Sequence, residues 1–113
     1  MRGAFITAGA LQHLVKIQVN AGVTQDALGE PIPNWVTLIT RFASVEPLTG
    51  RELWTAQQVQ AGVTHKIGMR GHPEFVLSPK NRLIYHGRVF NVAFVRNVEE
   101  ADVEIEAYCK EQV

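Results

Sequence analysis

The sequence predicts an all-β fold: a small, single-domain, mainly antiparallel β-barrel of about six strands, interrupted by one long inter-strand loop that carries a short helix. Three observations predict it. Apolar and polar residues alternate in "LQHLVKIQV" (11–19), "VTHKIGMR" (63–70) and "DVEIEAYC" (102–109), a period of two that turns one side of an extended chain toward a core. Clusters of Gly, Pro, Asn and Asp separate these stretches at short intervals. The chain has 113 residues, 46% of them hydrophobic, enough for one domain that buries roughly two-thirds of the surface its unfolded chain exposes.

The first ten residues, "MRGAFITAGA", are an N-terminal segment ahead of the barrel. Their apolar run superficially resembles a signal peptide, but it is short and passes directly into an alternating strand. In that first strand Leu11, His13, Val15, Ile17 and Val19 face one way and Gln12, Lys16 and Gln18 the other. "NAGVTQDALGEPIPN" (20–34) holds three Asn or Asp residues, two Gly and two Pro, the composition of a long hairpin loop. From Trp35 to Val45 apolar side chains fall on both faces: Trp35, Ile39 and Val45 against Val36, Leu38 and Phe42. A second strand of this kind is covered on both sides or meets a neighbouring subunit, and Trp35, Ile39 and Arg41 are its candidate partner face.

Residues 48–62 form the insertion. Thr49 and Glu52 have the spacing of a capping box, in which the Thr hydroxyl accepts from the Glu52 N–H and the carboxylate reaches back to the N–H of Thr49. "RELWTAQQVQA" then contains neither Pro nor Gly, and Gly62 is placed to end the helix in a left-handed cap. About two to three turns are too few to be stable alone in water, so Leu53 and Trp54 are the expected anchors. In the next strand Val63, His65, Ile67 and Met69 share one face, opposite Thr64, Lys66 and Arg70. The turn-rich "GHPEFVLSPKN" leads to "RLIYHGRVFNVAFVRNV", a hairpin with His86-Gly87 at its tip and Phe90, Val92 and Phe94 on one face of its second arm. The last strand directs Val103, Ile105, Ala107 and Cys109 inward and Glu104 and Glu106 outward. Together with Glu99, Glu100 and Asp102, those glutamates read as a solvated acidic face.

Charge and motif content exclude several function classes. Lys plus Arg and Asp plus Glu both number 11 and the pI is about 6.9, so no global field draws the protein to nucleic acid or an anionic membrane. The single cysteine, Cys109, cannot form an intrachain disulfide, a pattern that suits a reducing compartment. His13, His65, His72 and His86 lack metal-ligand spacing, although His13 and His65, each alternating with apolar residues, could meet across a sheet. No phosphate loop, nucleophile elbow or nucleophile–base pair is present, and no apolar run is long enough to span a membrane. The expectation is a non-enzyme without metal or cofactor. Lys80, Arg82 and Arg88 lie near Tyr85 and are candidate phosphate contacts, the feature an OB-like nucleic-acid-binding barrel would need. A ligand-binding barrel would need converging polar groups, which are not legible. For the insertion two readings stand: a plug over one end of the barrel, or a device that acts on something outside the domain.

The ordered set "TAGALQHLVKIQ", "LGEPIPNW", "FASVEPLTGRELWTAQQVQAGVTHKIGMR" and "RLIYHGRVFNV" resembles the head–tail joining proteins of tailed bacteriophages, also called head closure, head completion or stopper proteins. The similarity spans nearly the whole chain. Its specific elements are Gly29, Trp35, Ala43, Glu46-Pro47, Gly50-Arg51-Glu52, Thr64-His65 with Arg70, and Arg82 followed by Tyr85 and Gly87-Arg88. Two places depart from the pattern: Leu14 stands where such proteins often have a basic residue, and Gly71-His72-Pro73 replaces a more regular strand continuation. The resemblance implies a virion neck component, assembled in the bacterial host cytoplasm. It implies a homo-oligomeric, commonly dodecameric ring below the portal and adaptor proteins, on which tail terminator or tail tube proteins dock. It also implies that the insertion projects into the channel and helps retain packaged double-stranded DNA. On that reading Thr49, Arg51, Glu52, Gln57, Gln58 and Gln60 face the lumen. Glutamines with a balanced Arg51 and Glu52 would line a conduit without gripping phosphates, whereas a strongly basic lumen would bind the DNA backbone by counterion release.

Overall fold

Seven elements follow one another along the chain: β1 (His13–Gln25), β2 (Pro31–Pro47), α1 (Gly50–Val59), β3 (His65–Arg70), β4 (Asn81–Tyr85), β5 (Arg88–Asn97) and β6 (Glu104–Gln112). The structure, a computed structural model, describes residues 13–71, 76–98 and 103–112. The N-terminal segment 1–10, Leu11 and Gln12, His72, and the acidic residues Glu99, Glu100 and Asp102 lie outside the described residues.

The strands close into a barrel in the order β1-β2-β3-β6-β5-β4, with every neighbouring pair antiparallel. This is the all-β fold that the alternation predicts. Closure removes the unpaired edges that an open sheet of this size would expose. The inward sets of the alternating strands meet in one core that includes Val15, Ile17, Ile67, Met69, Leu83, Phe90, Val92, Ala107 and Cys109, with Ile105 packed against it. His86 and Gly87 both have positive φ, 52° and 77°, as a two-residue turn matched to the strand twist requires.

Four local expectations need correction. Residues 20–34 are not a long loop: β1 and β2 pair as far as Gln25 and Pro31, so the connection shrinks to residues 26–30. Asn20 explains how a turn-rich sequence stays in the ladder. Its Oδ1 accepts from the N–H groups of Gly22 and Asn34 at 3.1 and 3.2 Å, which stitches a register shift between Asn20 and Val23. Phe94 does not share a face with Phe90 and Val92. A bulge between Val92 and Phe94 adds one residue and turns Phe94 to the outside, where it stacks on Tyr108 with centroids 4.6 Å apart and planes at 10°. Glu104 and Glu106 do not form a wet face; both are buried, and Val103 is exposed. Finally, His13 and His65 do not meet. His13 packs edge-on against Tyr85 and its Nδ1 lies 2.8 Å from the Tyr85 hydroxyl, while His65 packs on Phe90.

β1 pairs with β4 only from Lys16 to Val19, and β2 pairs with β3 only from Ser44 to Pro47. The rest of the β1–β2 hairpin therefore leaves the barrel. The six residues beyond Val19, 20–25, carry its tip about 20 Å past the last β1–β4 pair, in keeping with a molecule measuring 57 × 31 × 25 Å.

Candidate functional site

Helix α1 lies outside the barrel over β3, β5 and β6, and a second, smaller core holds it there. Leu48, Ala56 and Val63 are its buried members, with Leu53, Ala93, Phe94 and Tyr108 packed against them. The bulge in β5 is what supplies Phe94 to this layer. Thr49 takes the N-cap position with extended backbone but makes no side-chain capping bond, so the expected capping box is not formed. Glu52 turns instead to Lys66, whose Nζ donates to Oε2 at 2.9 Å, because an ammonium is a stronger partner for a carboxylate than a neutral amide. Gly62 is left-handed as expected, φ 87°. The helix has already stopped at Val59, however, and the extended Gln60 is its C-cap, its N–H bonded to the Ala56 carbonyl.

Beneath the helix edge, Lys66 joins three acidic side chains: Glu52, Glu46 at 3.7 Å and Glu106 at 3.8 Å. Glu106 also accepts from Arg96 Nη1 at 2.8 Å. Burial alone would lower the Lys66 pKa, but the bond to Glu52 and the negative charge of Glu106, Glu52 and Glu46 outweigh it and raise the group above the ordinary lysine range. The Tyr108 phenol is pushed up by burial and by Glu106. Sequence reasoning missed this cluster. Its signal was the set of opposite charges at outward positions of β3, β5 and β6, which becomes visible once those strands are known to be adjacent.

The structure separates the residues expected to face a channel. Leu53 packs, partly buried, against the small core. Trp54 does not hold the helix to its own barrel: it is 65% exposed, and Ala56 fills the anchoring position. Gln57 is committed to its own chain, its Nε2 donating to the Val63 carbonyl at 3.0 Å. Thr49, Arg51, Gln58 and Gln60 are exposed. A step of 100° per residue places Gln58, Arg51 and Trp54 on the face of α1 opposite Ala56 and Leu53. On the other flank, Thr55, Val59 and Glu52 of α1 and Phe94, Arg96 and Tyr108 of the barrel wall line a groove of about 440 Å³.

The face expected to meet a partner is differently composed. Ile39 packs against the main core, and Arg41 Nη1 donates to the Arg70 carbonyl at 3.1 Å. Both belong to the inward set, paired with Ile17 and Val15. Trp35 is half-buried beneath the Arg82 guanidinium, 4.3 Å from its centroid. The exposed apolar residues are instead Leu14 and Phe42, directly opposite each other across β1–β2, together with Leu38, Val36 and Ile32. The described residues leave them uncovered, so among these residues the strand is not covered on both sides.

The basic residues 80–88 are also distributed. Arg82 Nε donates to Gln18 Oε1 at 2.8 Å. Arg88 makes a two-pronged pair with Glu111, at 2.8 and 2.9 Å; the bond from Arg88 holds the Glu111 pKa below the usual carboxylate range. Lys80 is exposed. Six all-antiparallel strands in a closed ring also differ from the five-stranded, partly open OB barrel. Among the described residues no group of three or more His, Cys, Asp or Glu could hold a metal ion, and no helix is long and apolar enough to cross a membrane.

Residues 6–112 match the model of the family described as phage head completion protein. The chain belongs to that family. It is accordingly a structural protein of a bacteriophage virion. The fold is also that of a solved protein, SF1141 from Shigella flexneri 2a, with a TM-score of 0.72, 24% identity and coverage of 96% of this chain and 98% of that one. A chain in the virion of a native gene transfer agent particle is similar as well, with a TM-score of 0.59, 16% identity and coverage of 91% and 96%. None of the curated proteins matches. The described surface offers two prominent features: a projecting β1–β2 hairpin and an externally mounted helix.

Proposed function

We propose that this head completion protein is the subunit of a connector ring, commonly dodecameric, that sits below the portal and adaptor, helps to retain packaged DNA and presents the surface on which the tail docks. The observation that carries this reading is the exposed apolar pair Leu14–Phe42, 52% and 58% exposed, continued by Leu38. A closed barrel has no unpaired edge left to protect, and contiguous exposed apolar side chains mark contact with another macromolecule. Such a strip along one flank suits a subunit that needs two complementary faces to close a ring. The helix insertion is the element assigned to the lumen. The face left for the lumen carries Gln58 and Trp54, with Gln60 just beyond the helix end, and presents no cluster of cations that would grip phosphates.

On this reading ring closure depends on the portal–adaptor platform, which holds the copies side by side. Native mass spectrometry of the protein alone and with a purified portal–adaptor complex tests this. The expected result is a small species alone and stoichiometric copies on the complex. A closed ring at micromolar concentration without any partner would overturn the platform dependence, and absence of binding to the complex would overturn the connector role.

A further inference from the structure

The β1–β2 tip is a preorganised knob. Asp26 Oδ1 accepts from the N–H groups of Leu28 and Glu30, both at 2.9 Å. The Asp26 N–H donates to the Glu30 carbonyl and the Gly29 N–H to the Asp26 carbonyl, both at 3.0 Å. Gly29, with φ 82° and open space where a Cβ would stand, completes a turn that other residues adopt only with strain. This ordered loop presents Leu28, 85% exposed, at the end of an arm about 20 Å long, flanked by the carboxylates of Asp26 and Glu30. A single exposed leucine is unremarkable by itself. Its position on a rigid, acidic, projecting tip is a different matter, because ordering costs that oppose binding are already met in the free chain.

The groove beside α1 has the complementary character. Ala56, Val59, Phe94 and Tyr108 make it apolar, and Arg51 and Arg96 stand at its rim. Its acidic neighbour Glu52 is occupied by Lys66, and Arg96 shares its charge with Glu106. Arg51 makes no hydrogen bond or ion pair among the described residues. Val59 is exposed, an apolar side chain at the groove mouth that the described residues leave uncovered.

We infer that the hairpin tip of one copy seats in the α1 groove of the next copy, with Leu28 against Val59, Phe94 and Tyr108 and with Glu30 facing Arg51. The occupant is a second copy of this chain because both halves of the contact are present on one molecule. A knob and a pocket on different parts of one surface make a head-to-tail contact, which generates rings when the rotation closes. The contact also gives the ring a mechanical role: it clamps α1 from outside and leaves the Gln58–Trp54 face of the helix uncovered. The inference rests on the ring reading above and goes beyond it by naming the surfaces.

Disulfide trapping between copies tests it. The native Cys109 is fully buried, so it gives little background. L28C protein carrying a mass tag is mixed with untagged V59C protein on the portal–adaptor complex and oxidised, and the tagged–untagged heterodimer is measured against the pair L28C with K80C. The expected result is a heterodimer for L28C/V59C in at least severalfold excess over the control pair. Reversing Glu30 (E30R) in one partner or Arg51 (R51E) in the other should each lower the yield about fivefold, and the two together should restore it, since exposed ion pairs contribute on that scale. Copies bound to the complex without this crosslink would overturn the tip-in-groove contact and leave the ring standing. Failure of copies to assemble on the complex at all would overturn both. Equal yields with and without the reversals would overturn the Glu30–Arg51 pairing.

Discussion

Replacing Val63 by Ala should loosen the helix insertion by a predictable amount. Val63 is fully buried in the small core formed with Leu48 and Ala56. The change removes roughly two methylene equivalents at about 0.8 kcal/mol each, and the space left behind raises the cost to about 2 kcal/mol. Helix α1 has ten residues and cannot persist without that core, so its opening equilibrium should rise about 30-fold. Amide hydrogen exchange reads this directly. The N–H groups of Leu53 and Gln60, bonded to the carbonyls of Thr49 and Ala56, report the helix, and those of β1 and β4 report the barrel. A companion variant, Ile17→Val, deletes a methyl group in the main core at about 1 kcal/mol. It should speed exchange of barrel amides about fivefold and leave Leu53 and Gln60 unchanged, because the helix detaches without the barrel unfolding. If Ile17→Val accelerates the helix amides by the same factor as the barrel amides, the two cores form one cooperative unit and the reasoning fails.

Three other outcomes follow from the geometry. Burial pushes the Cys109 thiol up from 9.0 to about 12, so the folded state holds its proton more tightly than the unfolded chain. Stability from this group is intact below pH 9 and falls by about 1.4 kcal/mol per pH unit above it, a loss of about 2 kcal/mol at pH 10.5. Denaturant melts of Cys109→Ala should lack that part of the alkaline decline, and identical slopes for both proteins would refute the assignment. Replacing Lys66 by Met, which leaves Glu106 with one fewer cation, should cost about 1–2 kcal/mol at pH 7. The deficit should shrink when Glu106 is replaced by Gln as well, and a deficit unchanged in the double variant would point to lost packing instead. Replacing Gln58 and Gln60 by Glu should leave the fold intact and disturb DNA retention in assembled particles; normal retention and ejection would remove the insertion from the lumen. Gln57 is left out because its amide holds the Val63 carbonyl.

Local chemistry was sufficient for much of this protein. The two-residue period in 13–19, 65–70 and 105–109 specifies which side chains enter a core, since a one-residue slip would expose all of them. The dipeptide His86-Gly87 demands a tight turn, and Thr49 starts a helix. The ordered motifs around Glu46-Pro47, Gly50-Arg51-Glu52 and Arg82 to Arg88 were enough to point to the head completion family. What tertiary structure decided depends on contacts between residues distant in sequence. Turn-forming residues at 20–25 and 31–34 became strand because Asn20 bonds across to Asn34 and the ladder continues past it. Glu106 became buried, and Glu52 abandoned its cap, because Lys66 and Arg96 arrive from neighbouring strands to compensate the charge. Phe94 changed faces because one extra residue was accommodated in β5, a bulge that alternation alone cannot reveal. The groove likewise exists only in three dimensions, because α1, β5 and β6 each supply part of its lining. A side chain's environment is set by which strands become neighbours, and that order is a property of the closed sheet, not of any segment within it.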